Sequence, residues 1–329
     1  MDTQRWLKAA PSLHKAMPIL SYPGVQLIGE SVNSLVRSGA LQAKCMQAVA
    51  RRWDALACVS LMDLSVEAQA FGSPVRFSEG EIPTVTAAIL AEGGDPEALA
   101  VPAIGAARTG EYVSAIATAK QLIDKPIFAG SIGPFSLAGR LLDFSEIMVL
   151  CYDEPELVHG VLAKVTAFLI DYNRALRGAG ADGLIMAEPA AGLLSPALNA
   201  EFSTPYVRQI TRAVQREDFA VIYHNCGNTI PLIGSILENG ASAYHFGNAI
   251  ELSEMLKLIP AQYPVFGNVD PAGQLRNGTP ESVRAATLSV LEACAKHENF
   301  IISSGCDIPP KAPLENIDAF FNAVEEFYR

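Results

Sequence analysis

A histidine and a cysteine two residues apart, His224 and Cys226, are the sharpest chemical feature of the sequence. They follow an apolar run that predicts a strand, and residues i and i+2 of an extended segment point the same way. Cys306 ends another predicted strand after Gly305, where the backbone can turn sharply. Because catalytic zinc takes three His or Cys ligands and keeps one open position, the pattern indicates zinc at His224, Cys226 and Cys306. Copper fits less well, and a buried histidine beside two packed cysteines is the alternative.

Other polar residues also follow apolar runs directly. In a barrel of alternating strands and helices, active-site residues gather where the strands end and the loops begin. The candidates at such positions are Asp63, Glu67, Ser131, Glu188, Asn228, His245, Asn248, Asn268, Asp270 and Asp307. We therefore expect a polar site at the carboxyl ends of the strands.

The elements that must position these residues are short apolar runs, read as parallel strands buried on both faces. The predicted strands are Ala55–Leu61, Pro126–Gly130, Gly183–Glu188, Phe219–Tyr223, Ser242–Phe246, Pro264–Asn268 and Phe300–Ser304, with a weaker eighth at Met17–Tyr22. Helical patterns alternate with them at Ser31–Trp53, Glu111–Ile123, Glu154–Ala175, Pro205–Gln215, Ile230–Glu238, Leu252–Leu258, Glu281–His297 and Leu314–Phe327. This alternation predicts an α/β protein.

About eight strand–helix units favour a (β/α)8 TIM barrel over a doubly wound sheet. No G-x-G-x-x-G follows the first strand and no P-loop motif occurs, which argues against dinucleotide and nucleotide binding. We expect one domain over residues 1–329, with an N-terminal helical extension and an insertion near 71–108.

Composition narrows the functional classes. Half of the 329 residues are hydrophobic, and the net charge of −11 without a basic tract argues against nucleic-acid binding. No apolar run is long enough to span a membrane and the N-terminus lacks signal-peptide features, so we expect a cytoplasmic protein. The remaining cysteines, predicted to be packing residues, are Cys45, Cys58, Cys151 and Cys294.

Several segments resemble the uroporphyrinogen decarboxylase superfamily, from Asp54 to the C-terminus. They are Met62-Asp63-Leu64-Ser65-Val66-Glu67-Ala68, Gly133-Pro134-Phe135, Glu188-Pro189 with Thr204-Pro205-Tyr206, and Phe266-Gly267-Asn268-Val269-Asp270. His224-Asn225-Cys226-Gly227 with Ser304-Gly305-Cys306-Asp307 is similar to the zinc-binding set of the cobamide-dependent thiol methyltransferases in that superfamily. The resemblance implies a (β/α)8 barrel and a catalytic zinc ion. It also implies a methyl group moved from a corrinoid to a small thiol such as coenzyme M.

Uroporphyrinogen decarboxylation is the alternative that the same resemblance implies. Members with that activity need no metal and carry an arginine-bearing N-terminal stretch that handles the substrate carboxylates. The corresponding segment here, Pro23–Glu30, contains no arginine. A substrate with many carboxylates needs cationic partners, so the sequence favours methyl transfer.

The implied partners are a separate corrinoid protein or free methylcobalamin, since the chain has no Asp-x-His-x-x-Gly segment to hold cobalt itself. Glu188 is a candidate labile fourth ligand or a cap for the following turn. Asp63 and Glu67 would shape the thiol or corrinoid side, or only hydrogen-bond at the barrel mouth. Candidates to orient the ligands are Asn228, Asp270 and Asp307, whereas His245 is predicted to be structural. A fourth strong ligand would instead make the zinc structural.

Overall fold

A curled sheet of parallel strands forms the centre of the protein, in a computed structural model that describes residues 1–90 and 95–329. In chain order the strands are β1 (Cys58–Val59), β2 (Val75–Arg76), β3 (Thr84–Val85), β4 (Ile127–Ile132), β5 (Gly183–Ala187), β6 (Ala220–Asn225), β7 (Ala243–Phe246), β8 (Val265–Val269) and β9 (Phe300–Ser304). Seven of them pair in the order β1-β4-β5-β6-β7-β8-β9, whereas β2 and β3 form a separate antiparallel pair. All seven confident strand predictions are confirmed. The architecture is an α/β barrel of the (β/α)8 type.

The eighth strand predicted at Met17–Tyr22 is wrong. An irregular segment occupies that position between β9 and β1: Met17 N donates to Ile302 O at 3.0 Å, and Leu56 N donates to Ala16 O at 2.9 Å. Pro18 has no N–H to continue a ladder. The next amide, Ile19 N, bonds the side-chain Oγ of Ser304 at 3.0 Å instead of a strand carbonyl. The segment therefore fills the seam of the barrel without being a regular strand.

Helices surround the sheet. They are α1 (Thr3–Ala9), α2 (Val25–Ile28), α3 (Val32–Leu35), α4 (Gly39–Arg52), α5 (Val66–Ala70), α6 (Thr109–Leu122), α7 (Pro134–Leu142), α8 (Phe144–Asp153), α9 (Pro155–Gly178), α10 (Pro196–Phe202), α11 (Thr204–Val214), α12 (Ile233–Leu237), α13 (Leu252–Leu258), α14 (Pro280–Cys294) and α15 (Leu314–Tyr328). The predicted helix Ser31–Trp53 is two helices, because Ser38 starts a new one as its N-cap and accepts from Leu41 N at 3.3 Å. Thr279 caps α14 in a capping box with Ser282.

The interior of the barrel is layered. Alternate residues of each strand face inward, and an apolar layer is followed two residues later by a polar one. The apolar layer includes Ile222, Ala243 and Ile301, and the residues two positions further along the same strands are His224, His245 and Ser303. Leu7 of α1 belongs to the same apolar cluster, so the N-terminal extension packs against the barrel interior.

The predicted insertion at 71–108 contains the β2–β3 hairpin and a short 3-10 turn, Pro96–Ala98. Residues 91–94 of that insertion lie outside the described part of the chain. Within the two described ranges, no helix combines the length and the hydropathy needed to span a lipid bilayer.

Candidate metal centre

His224, Cys226 and Cys306 meet at the carboxyl end of the barrel. His224 is the second-last residue of β6, Cys226 directly follows that strand, and Cys306 lies two residues past the end of β9. One ligand atom from each residue lies within 4.8 Å of the others, and Cys306 Sγ is 3.5 Å from His224 Nε2. Since β7 and β8 separate β6 from β9 in the sheet, it is the curvature of the barrel that brings the three side chains together.

Two glycines allow the loops to approach each other at this point. A Cβ at Gly305 would lie 2.7 Å from Asn248 Oδ1 and 2.9 Å from its backbone nitrogen. A Cβ at Gly247 would lie 2.6 Å from both Cα and Cβ of Cys226. The sequence suggested a sharp turn at Gly305, but this residue does not adopt a positive φ. Glycine is needed there for close packing against Asn248.

The two cysteines of this group have opposite pKa shifts. The hydrogen bond with Cys306 and the neighbouring His224 lower the pKa of Cys226, while the bond to Cys226 and burial raise the pKa of Cys306 well above its usual value. A thiolate beside a thiol and an imidazole is a donor set that suits zinc, which binds both sulfur and nitrogen. Burial instead raises the pKa of Cys45 and Cys58 to about 12, as expected of thiols that only pack.

The donor set is open on one side. Among the described residues, no fourth His, Cys, Asp or Glu joins the group formed by His224, Cys226 and Cys306. His224 is buried, whereas both cysteines are partly exposed. Three converging ligands with one accessible side match the catalytic arrangement of zinc, and a structural site would require a fourth ligand.

His245 has two partners that sequence reasoning missed. Its Nδ1 lies 2.8 Å from His224 Nδ1, and its Nε2 lies 2.8 Å from Ser303 Oγ. Burial and the adjacent His224 hold the pKa of His245 well below its usual range. His224 and His245 are register partners on adjacent strands, so only knowledge of the strand register could have indicated this contact.

Glu188 caps a helix rather than joining the three ligands. Its Oε1 accepts hydrogen bonds from Ser136 N at 2.6 Å and from Ser136 Oγ at 2.9 Å, at the start of α7. The sequence suggested a cap of the following turn, whereas the capped helix follows a different strand, β4. A Cβ at Gly133 would lie 1.7 Å from Glu188 Oε2, which explains the glycine of the Gly-Pro-Phe segment. Burial raises the pKa of Glu188 to about 8.

Asp63 is paired with an arginine that the sequence did not point to. Arg108, at the end of the insertion, donates from Nη1 to Asp63 Oδ2 at 2.5 Å, and Tyr112 Oη donates to the same oxygen at 2.8 Å. The other guanidinium nitrogens of Arg108 bond Gln69 Oε1 at 2.6 Å and Ser65 Oγ at 2.7 Å. Arg108 is therefore fully engaged in holding the loop after β1.

The remaining candidate carboxyl groups are those of Glu67, Asp307 and Asp270. Glu67 accepts from Ile132 N at 3.1 Å, and burial raises its pKa to about 7. Both oxygens of Asp307 are buried without a hydrogen-bond partner among the described residues, and burial raises its pKa well above the usual value. Asp270 instead caps the turn Pro271–Arg276 through Ala272 N and Gly273 N, each at 2.9 Å.

Asn225, which lies between the candidate ligands His224 and Cys226, fixes the end of β6. Its Nδ2 donates to Glu188 O at 2.7 Å, and its Oδ1 accepts from Gly227 N at 2.9 Å. Asn228, the predicted orienting residue, is exposed. Asn225 therefore fixes the backbone next to His224 and Cys226, and no contact of Asn228 with either residue is seen among the described residues.

Known proteins resemble this chain in sequence and fold. A family model for uroporphyrinogen decarboxylase (URO-D) matches residues 13–327. The uroporphyrinogen decarboxylase of Coxiella burnetii is 30% identical over 216 residues, covering 61% of this chain and only 57% of that enzyme. The methylcobamide:CoM methyltransferase MtbA of Methanosarcina acetivorans is 26% identical over 270 residues, covering 80% of this chain and 78% of that enzyme. A methyltransferase structure from Methanosarcina mazei has a TM-score of 0.88 at 24% identity over 100% of both chains, which shows the same fold.

Proposed function

The chain belongs to the uroporphyrinogen decarboxylase family, and we propose that it is a zinc-dependent methyltransferase within that family. The reaction would move a methyl group from a methylated corrinoid to a small thiol such as coenzyme M. The observation that carries the proposal is the convergence of His224, Cys226 and Cys306 on one open point at the barrel mouth. The likeness to methylcobamide:CoM methyltransferases supports the same reaction class.

The protein residues would hold the metal and set its charge. Cys226 and Cys306 as thiolates and His224 as a neutral ring balance one Zn²⁺ ion. The ion would supply the coordination that deprotonates an acceptor thiol, whose free pKa is about 8.5. An acceptor thiolate would add a further negative charge to the centre, which keeps its sulfur nucleophilic.

The transfer itself would be a displacement at the methyl carbon. The acceptor sulfur forms the new carbon–sulfur bond while the cobalt–carbon bond breaks, and the bonding electron pair remains on the reduced cobalt. The thiol proton goes to solvent. The chain would contribute positioning of the two substrates rather than a proton-transfer group.

The mouth of the barrel would receive the substrates. Both oxygens of Asp307 are buried there without partners among the described residues, so this carboxyl group would be available to contact a ligand. Glu67 and Glu188 each have one buried oxygen without a partner in the described part of the chain. Asp63 and Glu67 would shape the same side through their loop contacts. The corrinoid would come from a separate corrinoid protein or as free methylcobalamin. A cytoplasmic location would suit a protein whose six cysteines are all free.

Uroporphyrinogen decarboxylation is the second candidate, favoured by the names of relatives such as the Coxiella enzyme. Segment 23–30 offers it no arginine. Arg108 is already paired with Asp63. The zinc-ligating donor set would have no purpose in that reaction.

Metal content and methylcobalamin demethylation test the proposal together. We expect one zinc per chain, and demethylation that needs both zinc and an added thiol, measured over a panel of thiols. The double variant Cys226→Ala/Cys306→Ala should lose both. A matched double variant at packing cysteines, Cys151→Ala/Cys294→Ala, should keep both. Unchanged zinc content in the first variant would contradict the assignment.

A further inference from the structure

A continuous line of side chains runs from His224 to the seam of the barrel. His224 Nδ1 faces His245 Nδ1 at 2.8 Å, His245 Nε2 faces Ser303 Oγ at 2.8 Å, and Ser303 Oγ donates to Met17 O at 2.8 Å. His224, His245 and Ser303 are each at most 1% exposed. Water therefore does not compete for these hydrogen bonds.

The direction of every hydrogen bond in this line follows from its last member. A carbonyl oxygen only accepts, so the Ser303 hydroxyl hydrogen points at Met17 O. The Ser303 oxygen must then accept from the Nε2–H of His245. A second proton on this buried ring would create an unpaired positive charge, because its side-chain partners in the described part of the chain are His224 and Ser303, so Nδ1 carries no proton. The unprotonated Nδ1 of His245 can only accept, so His224 must donate from its own Nδ1.

We propose that His245, supported by Ser303, is a positioning residue that holds His224 with its proton on Nδ1. The lone pair of His224 Nε2 then points toward Cys306, the side on which the three candidate ligands converge. The inference rests on the proposed function for its metal. The order of protons along the line depends only on the protein.

A metal-ligating histidine commonly donates its second ring N–H to a carboxylate, a carbonyl or water, which fixes the tautomer and orientation of the ring. Here His245 takes the place of that acceptor, and Ser303 in turn fixes the orientation of His245. A residue that merely packed would tolerate an apolar side chain of similar size. A positioning residue would not, so the two roles are separable.

The first experiment reads the tautomers directly in the metal-free protein. The chain contains five histidines, so selective ¹⁵N labelling of their rings and two-bond ¹H–¹⁵N correlation gives a spectrum that single variants can assign. We expect His224 protonated on Nδ1 and His245 on Nε2. His224 protonated on Nε2 would overturn the proposal, whether or not the protein binds zinc.

The second experiment measures zinc affinity by competition with a chromophoric chelator, without turnover. His245→Leu should weaken zinc binding about 10–100-fold, as loss of an outer partner does in other metal sites. His245→Asn places an amide oxygen near the former Nδ1 and should restore most of that loss. Ser303→Ala should lie between them, and His159→Leu, which is remote from the ligands, should have no effect.

The outcomes separate the two hypotheses. Wild-type affinity in His245→Leu would overturn the positioning role and leave the metal site intact. Absence of zinc binding in the wild type would remove the proposed function, while the tautomer spectrum would still decide the order of protons. Thermal unfolding of metal-free His245→Leu controls for a loss of folding, because the proposal expects its affinity to fall with the barrel intact.

Discussion

Asp63 and Arg108, which lie 45 residues apart in the chain, form an ion pair with an Oδ2–Nη1 distance of 2.5 Å at the carboxyl end of the barrel. Their side chains are 0% and 8% exposed. Tyr112 and Ser65 bond the same carboxylate, so both of its oxygens are satisfied. The pair joins the loop after β1 to the start of α6 and so fixes one wall of the mouth.

Breaking this pair should destabilise the protein strongly. Arg108→Met leaves the Asp63 carboxylate buried without its counter-ion, which costs about 3–5 kcal/mol in comparable cases. Urea unfolding would measure the loss. Lys257→Met, which breaks the exposed pair with Glu254, should change the unfolding free energy by less than about 1 kcal/mol. Equal effects of the two changes would contradict the structural role of Arg108.

The engagement of Arg108 leads to a prediction about porphyrinogens. All of its nitrogens already bond protein groups, and segment 23–30 supplies no other arginine. We expect no meaningful decarboxylation of uroporphyrinogen, because neither Arg108 nor segment 23–30 offers a free arginine to its carboxylates. A direct assay for coproporphyrinogen decides this, and robust product formation would show that the metal-based interpretation is misleading.

Stability should depend on pH through Glu67. Burial raises the pKa of this carboxyl group from 4.5 to about 7, so the folded protein holds a proton that the unfolded chain releases. Protonated Glu67 therefore makes its full contribution to the free energy of unfolding below pH 4.5. This contribution is lost as the pH rises to about 7, which lowers the free energy of unfolding by on the order of 3 kcal/mol.

Glu67→Gln keeps a neutral group at this position and should flatten that part of the stability curve relative to the wild type. Urea denaturation at a series of pH values measures the difference between the two proteins. The change Glu315→Gln, at an exposed position, controls for loss of a carboxylate as such. Parallel curves for wild type and Glu67→Gln would show that Glu67 does not titrate in this range.

Acceptor binding should release protons. A thiol with a pKa of about 8.5 is mostly protonated at neutral pH and becomes ionised on coordination, so about one proton per site should appear. Calorimetry in buffers of different ionisation enthalpy counts these protons. Proton release without methyl transfer from methylcobalamin would retain the zinc–thiol step and remove the corrinoid donor.

His224→Ala should abolish methyl transfer without unfolding the protein. Loss of the only nitrogen ligand in the group should lower methylcobalamin demethylation by several orders of magnitude. The core of apolar side chains stays intact, so the metal-free variant should still unfold cooperatively, at a temperature lowered by the loss of one buried, hydrogen-bonded ring. A variant that lacks zinc but transfers methyl groups at the full rate would refute the mechanism.

The parallel strands and the convergence of His224, Cys226 and Cys306 were predictable because each rests on a local pattern. Apolar runs mark the buried strands, and Phe300–Ser304 agrees with the structure residue for residue. Alternation along β6 puts His224 and Cys226 on one side. The curvature of the barrel then brings Cys306 of the loop after β9 close to them. Predicting this contact requires only the fold class in addition to the local pattern.

Other features depend on contacts that no local pattern contains. Arg108 lies in an irregular insertion, and nothing in its spacing from Asp63 indicates a pair. Glu188 caps a helix that belongs to a different strand–helix unit. The His224–His245 contact was accessible only through strand register, which apolar runs do not determine.

The irregular segment between β9 and β1 leaves the Met17 carbonyl free to accept from a side chain. In a complete ring of strands this carbonyl would accept from a backbone amide, whereas here it receives the Ser303 hydroxyl. The irregular segment, where the barrel departs from its ideal symmetry, therefore supplies the last acceptor of the hydrogen bonds that run from His224 through His245 and Ser303. Substitutions around Pro18 that regularise the segment would compete for that carbonyl. Such changes would add backbone hydrogen bonds between β9 and β1, but they would also weaken the orientation of the His224 ring on β6, across the barrel.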